Sequence, residues 1–423
     1  MKKALLLFII LLSPLSLTSY TGADRILVNM DYAQADHLKA YGLAYWALEK
    51  GINVEWLLNF RGGSFLMEYS VPLVEEARVR GVSFEVIGQA KVSEIHNRIE
   101  EENMEAIVLE KAPKIAVYIP PSQEAWDDAV RLALDYAEIP YEILWDREVL
   151  EGRLAEYDWL HLHHEDFTGQ YGKFYASYRN APWYIQMQKV NEQMASELGF
   201  TKVSELKKAV ARRIYEYVKR GGFLFAMCSA PETLDIALAA AGVDIVPPLF
   251  DGDPVDSDYQ SRLDFSRTFA FENFHLEINP LIYAFSDIDT TPESLKGIKG
   301  AEADSFTLFE FSAKYDPVPT MLTQNHTPAI KGFLGQTTGF RKELIKKSVV
   351  ILGEVKGTDE VKYIHGNLGK GTFTFYGGHD PEDYMHLVGD PPTDLTLHKN
   401  SPGYRLILNN ILFPAAKKEK MRT

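Results

Sequence analysis

Cysteine is almost absent from this chain: Cys228 stands alone among 423 residues. A single thiol excludes an internal disulfide, so the fold must be held by its own core, and about 400 residues are enough to bury two or three of them. Long apolar runs are absent too, apart from one at the start. Residues 1–19, MKKALLLFIILLSPLSLTS, set Lys2 and Lys3 before an apolar stretch from Ala4 to about Leu12, broken by Ser13 and Pro14. That is the pattern of a cleaved secretory signal, and the run is too short to span a hydrocarbon core of ~30 Å. No cysteine follows it, which excludes a bacterial lipoprotein anchor. The expectation is an exported protein, secreted or periplasmic, cut somewhere in Thr18–Ala23 and left with no stable membrane span. Positive charge is the third shortage. The 44 Lys and Arg against 59 Asp and Glu leave a formal charge of -15, which argues against nucleic acid or anionic lipid as a partner.

What is present is alternation. From Arg25, β-rich runs (RILVNM 25–30, INVEWLL 52–58, VSFEVIG 82–88, EAIVLE 105–110) take turns with amphipathic stretches. Such spacing predicts βαβ crossovers and a mainly parallel first layer over 24–112. After KAPK (111–114) the pattern restarts. Strands are predicted at 114–121, 141–146, 157–164, 223–228 and 370–378, with helices at 124–139, 203–222, 230–241 and 403–413. The fold class expected is α/β: residues 1–23 as signal, an N-terminal βαβ layer, then a doubly wound, flavodoxin-like unit over 113–423 carrying long insertions at about 167–202 and 245–345.

Open parallel sheets bind ligands outside the carboxyl ends of their strands. Those ends carry Pro120, Trp145, His163 with His164, Cys228 and His379. Cys228 sits where a strand turns into a helix between Ala226 and Ala230, the small neighbours a nucleophile elbow requires, and the helix start offers N–H groups near Ser229 for an oxyanion. In FYGGHDPED (375–383), His379 follows a glycine pair, with Asp380 and Glu382 close enough in sequence to orient its ring. Nucleophile, base and orienter are the parts of a thiol hydrolase.

The elbow followed by a terminal strand bearing His and Glu resembles the class I glutamine amidotransferase-like superfamily over about residues 113–413. That resemblance implies a Cys–His–Glu triad: Cys228 as nucleophile, His379 as base, Glu382 as orienter with Asp380 as rival. The elbow here reads Ala226-Met227-Cys228-Ser229-Ala230 in place of G-x-C-x-G. The base motif is His379-Asp380-Pro381-Glu382, one residue longer than H-P-E. YVKRGGFLF and GKGTFTFYGGHD look closer to the noncatalytic or unassigned branches of the superfamily, such as ThuA-like sugar-associated proteins. The whole chain also resembles secreted bacterial proteins labelled asparagine synthetase B. ATP-dependent asparagine synthesis does not fit the residues: Lys2 occupies the position of that class's N-terminal cysteine, and Arg61-Gly62-Gly63-Ser64-Phe65 lacks the acid of its pyrophosphate loop.

HLHHEDF (161–167) forms a second constellation. On a strand His161 and His163 share a face, a spacing that suits two imidazoles on one metal, with His164, Glu165 and Asp166 following and His379 or Asp380 able to complete the set. The acid-rich DGDPVDSDY (251–259) lacks the glycine and glutamate positions of an EF-hand and reads as a solvated loop. NFRGGSFL (59–66) reads as a tight turn, with an anion cradle as the alternative. The aromatic stretch 169–184 offers faces for sugars or peptides, or a lid. Three functions follow: a Cys228–His379 hydrolase of an amide or related acyl bond; a non-catalytic glycan- or peptide-binding protein using the same crevice, with His163, His164, Glu165, Ser229 and Trp145 as ligand contacts; and a metal-dependent hydrolase on His161, His163 and His164. No cofactor is expected apart from the divalent metal of that third reading.

Overall fold

The computed structural model describes residues 24–120, 128–297 and 300–416, so the signal segment lies outside the described residues. The first five strands are β1 (Arg25–Val28), β2 (Val54–Leu58), β3 (Ser64–Glu68), β4 (Glu85–Ile87) and β5 (Glu105–Leu109). They build one sheet in the order β4-β1-β3-β2-β5, and every neighbouring pair is antiparallel. This corrects the parallel layer expected from the spacing. The cause is β3, whose residues were read as part of a turn. Asn59, Arg61, Gly62 and Gly63 all have positive φ, which folds the chain back on β2 and slots Ser64–Glu68 between β1 and β2.

The second sheet has ten strands. β6 (Ile115–Tyr118), β7 (Glu142–Leu144), β8 (Trp159–Leu162), β9 (Phe223–Met227) and, much later, β15 (Gly371–Tyr376) are parallel and lie in the order β7-β6-β8-β9-β15. Counted along the chain this is 2-1-3-4-5, a common doubly wound order whose direction of winding reverses between its first and third strands, here β6 and β8. The other five strands were not legible as strands: β10 (Ser305–Leu308), β11 (Ala329–Lys331), β12 (Phe340–Arg341), β13 (Val350–Glu354) and β14 (Glu360–Leu368). They extend the sheet antiparallel beyond β15. Most of the 245–345 insertion is therefore a wing of the sheet together with the loops that cover its face.

The elements follow from their patterns. In the helix Val203–Arg220, Val203, Leu206, Val210, Ile214 and Tyr217 are buried on one stripe, as a core-facing amphipathic helix requires. The helix ends at Gly221, whose φ of 126° suits a residue without Cβ. In the helix Ala129–Ala137 the N-cap is Asp128, whose carboxylate accepts from the N–H groups of Val130 and Arg131. One continuous core runs from Ile26, Val28 and Trp56 of the first sheet through Val117, Phe225 and Met227 of the second to Ile407 and Ile411 of the helix Pro402–Leu412. A second core lies on the opposite face of the larger sheet around Leu160, Leu206, Leu224 and Phe375. The larger sheet is thus covered on both faces, as a parallel sheet must be.

Candidate functional site

Histidines gather at the reversal point between β6 and β8. His161 is the third residue of β8 and is buried, with Nε2 3.2 Å from Asp128 Oδ1 and Nδ1 3.3 Å from the Phe225 carbonyl. Both its nitrogens have near neighbours, and one ligand atom each from Asp128, His161 and His163 lies within 4.8 Å of the others, a second group that could hold an ion. His163, just past the strand, donates from Nε2 to the His379 carbonyl at 3.1 Å. That bond occupies Nε2, and Nδ1 lies 3.3 Å from Asp128 Oδ1, outside hydrogen-bond geometry. His379 follows β15, and its ring centroid lies 4.5 Å from that of His163 and 6.1 Å from that of His164. Both ring nitrogens of His379 are buried without a hydrogen-bond partner. One nitrogen each from His163, His164 and His379 falls within 4.8 Å of the others. Imidazoles on one zinc ion at about 2.1 Å sit roughly 3.4 Å apart, so modest side-chain rotation closes the cradle.

Backbone geometry sets this up. Gly378 has a φ of 99°, and a Cβ there would stand 2.4 Å from the Phe333 ring; only glycine can turn the chain so that the next residue drops into the crevice. Asp128 comes from the loop after β6, where the capped helix fixes its carboxylate. Burial lowers the His379 imidazole well below its ordinary range, and neighbouring His163, His164 and His386 lower it further. Burial also pulls on His163, but the Asp128 carboxylate outweighs it and the net shift is upward. Glu165 accepts the His163 N–H at 2.8 Å, and burial pushes its carboxyl up to about 8, helped by the charge of Asp128.

The elbow at Cys228 exists: φ is 53°, a left-handed conformation that a cysteine adopts only under constraint. Its N–H donates to the Gly378 carbonyl at 3.2 Å, and the Ala230 N–H donates to the His163 carbonyl at 3.1 Å. The turn is therefore clamped between the backbones of His163 and of Gly378, the residue before His379. No hydrogen bond joins the expected triad. Cys228 is buried at 2% exposure, its sulfur faces the N–H groups of Gln336, Ser229 and Thr337, and burial pushes the thiol up to about 11. The unpartnered nitrogens of His379 make no hydrogen bond to that sulfur. Nor do they bond to the expected orienters. Asp380 accepts from the N–H groups of Glu382 and Asp383 and from the Tyr404 hydroxyl, while Glu382 pairs with His398 at 3.1 Å and Lys331 at 3.6 Å. The extra residue in His379-Asp380-Pro381-Glu382 makes a tight turn in which both acids serve the backbone and the surface.

Other expected contacts resolve as follows. Trp145 is buried, with the Lys207 ammonium 4.9 Å above its ring. Ser229 is fully buried with an unpartnered hydroxyl. In the 251–259 loop, Lys202 Nζ lies 2.7, 3.2 and 2.5 Å from Asp244, Asp251 and Asp253, so a lysine supplies the cation there. Sequence reading missed two members of the site. Asp128 was hidden inside a predicted helix, although Asp before Ala129-Val130 is an N-cap signal. His386, whose ring stacks on His379 at 4.5 Å, carried no motif.

No family model matches the chain, and no curated protein does. Among solved structures it is similar to two cytoplasmic proteins from Salmonella typhimurium, at 10% and 12% identity, each over 72% of this chain and 100% of the other, with TM-scores of 0.34. A GH42 β-galactosidase matches at 10% identity over 64% of this chain and 28% of its own, with a TM-score of 0.25. Likenesses this distant carry no argument about what the chain does.

Proposed function

We propose that the protein is a metal-dependent hydrolase whose ion is held by His163, His164 and His379. The single observation that carries this reading is His379: a buried imidazole with two unpartnered nitrogens, converging with two further imidazoles where a doubly wound sheet reverses. Leaving buried polar atoms unpaired costs about 1–3 kcal/mol each, and a bound ion removes that cost. A zinc-class ion bound by neutral imidazoles supplies an acidified water and a Lewis acid for a carbonyl. The chain does the rest. The bond from His163 Nε2 to the His379 carbonyl engages that nitrogen, so Nδ1 is the one this ring would offer an ion on losing its proton. Asp128 holds negative charge 3.3 Å from that nitrogen, and Glu165, with one oxygen on the His163 N–H, keeps the other to take and return a proton.

The 2-1-3-4-5 order supports the amidotransferase-like resemblance at the level of fold, while the buried thiol argues for a different reaction. A second reading, the Cys228 thiol hydrolase, keeps one observation in its favour, the left-handed elbow. Export remains a proposal from the N-terminal pattern. The test is a panel of chromogenic amide, ester and phosphoester substrates assayed with and without chelator. Turnover lost with chelator and restored by Zn²⁺, and retained in Cys228→Ala, supports the metal reading. Turnover that ignores chelator and vanishes in Cys228→Ala replaces it with the thiol reading.

A further inference from the structure

A recess lies away from the histidines, between the first sheet and the antiparallel wing of the second. Its volume is about 390 Å³, within the range of about 300–1,000 Å³ common to small-molecule sites. The first sheet lends Asn59, Gly62 and Asn103, and the wing lends 308–311, Thr320 and 323–328. Amides stitch the two walls together. The Asn59 N–H donates to Gln324 Oε1, and Gln324 Nε2 donates back to Asn59 Oδ1, both at 2.9 Å. At Asn103, Nδ2 donates to the Phe311 carbonyl at 3.3 Å and Oδ1 accepts the Ala313 N–H at 2.9 Å. These bonds fix the left-handed turn before β3 against the wing, so the recess is formed before any ligand arrives.

Its lining selects a class of ligand. Among the described residues no lysine or arginine lines the recess, and Glu310 is its one acid, so an anion finds no counter-charge there. The Thr320 and Thr323 hydroxyls donate their hydrogens to the carbonyls of Asp316 and Pro319 at 2.8 and 2.9 Å, which leaves oxygen lone pairs to accept. His326 supplies the opposite. Arginine can only donate, so the 2.9 Å contact from Arg405 makes His326 Nδ1 the acceptor and puts the ring hydrogen on Nε2. His37 stacks on that ring at 4.4 Å and Tyr32 meets it edge-on at 5.2 Å, which holds it in place. Phe309 is 41% exposed and gives the recess an apolar face.

We propose that this recess binds a short uncharged saccharide. A sugar hydroxyl both donates and accepts, so it pairs as donor with the threonine oxygens and Glu310 and as acceptor with the His326 N–H. The C–H face of a pyranose ring packs on Phe309. The inference rests on this recess alone and is independent of the histidine centre, none of whose residues line it.

Saturation-transfer-difference NMR of the full protein with cellobiose, maltose, lactose and sucrose tests it, with acetyl-dialanine amide as an uncharged comparator that carries amides in place of hydroxyls. At least one of the sugars is expected to bind saturably and about tenfold more tightly than the comparator. Phe309→Ala, at an exposed position, is expected to weaken that binding about tenfold, and Thr323→Val, which keeps the shape of the side chain and removes its oxygen, about threefold. Chelated protein and His379→Ala are expected to bind as the wild type does. No saturable signal from any of the four sugars, a comparator that binds as tightly as the best of them, or wild-type affinity in a folded Phe309→Ala or Thr323→Val overturns the proposal. Loss of binding in a folded His379→Ala also overturns it, by moving the sugar to the histidine crevice.

Discussion

A buried imidazole pays for its desolvation through its partners, and His379 has none for either nitrogen. Cys228 is the opposite case: its sulfur is surrounded by backbone donors and sealed from solvent. Those donors favour a thiolate, but burial wins and the thiol stays protonated near neutral pH. Reactivity follows the thiolate fraction and access. Iodoacetamide at pH 8 is therefore expected to modify native Cys228 on the order of a hundredfold more slowly than free cysteine, with full reactivity returning in denaturant. Mass spectrometry of timed samples checks this; rapid labelling of native protein would return the elbow to the active role its sequence suggested.

At the scale of elements, what was legible followed period and punctuation. The five parallel strands and the helix Val203–Arg220 announce themselves through apolar runs, amphipathic spacing and terminal glycines, and they fall where those signals put them. β3 was not legible because the stretch 59–66 reads as a tight turn, and only long-range pairing with β1 and β2 makes the residues after Gly63 a strand. β10 to β14 were hidden because they pair in succession outward from β15 through β14, by long-range contacts and not by their own pattern. The same limit applies to the site: His163, His164 and His379 were each visible at strand ends, but whether imidazole meets sulfur or imidazole depends on rotations no sequence shows. One tether of the long insertion is a single side chain on the helix after the elbow. The Asp235 carboxylate accepts the N–H groups of Phe269, Ala270 and Phe271 at 2.6, 2.8 and 3.0 Å. Asp235→Ala orphans all three and is expected to cost on the order of 3 kcal/mol. The midpoint of denaturant unfolding and the rate of protease nicking between 245 and 290 would show it; an unchanged midpoint would mean that the loops hold themselves.

Across the whole molecule, Arg405 joins the two sheets. It is fully buried and donates to the carbonyls of Met30 and Gly62, to Tyr41 and to His326 Nδ1. His326 stacks on His37 at 4.4 Å. Burial and then the nearby guanidinium lower both imidazoles, His37 to about 4 and His326 to about 3. The native state keeps these rings neutral, whereas the unfolded chain takes up protons below its pKa of about 6.5. Stability is therefore complete above that value and falls as the pH drops from about 6.5 toward 4, by up to about 1.4 kcal/mol per pH unit for each ring. Replacing His37 with Asn is expected to remove one such increment from the slope of unfolding free energy against pH. An identical slope in the variant would place the acid sensitivity elsewhere.

The proposed metal centre is tested most directly by the metal content of the purified protein after exposure to Zn²⁺ and removal of excess ion. About one equivalent is expected in the wild type, falling to less than a tenth in His379→Ala and in His163→Ala while Cys228→Ala keeps it in full. A folded wild-type protein that emerges without metal, or a His379→Ala protein that retains its equivalent, would contradict the assignment of this crevice.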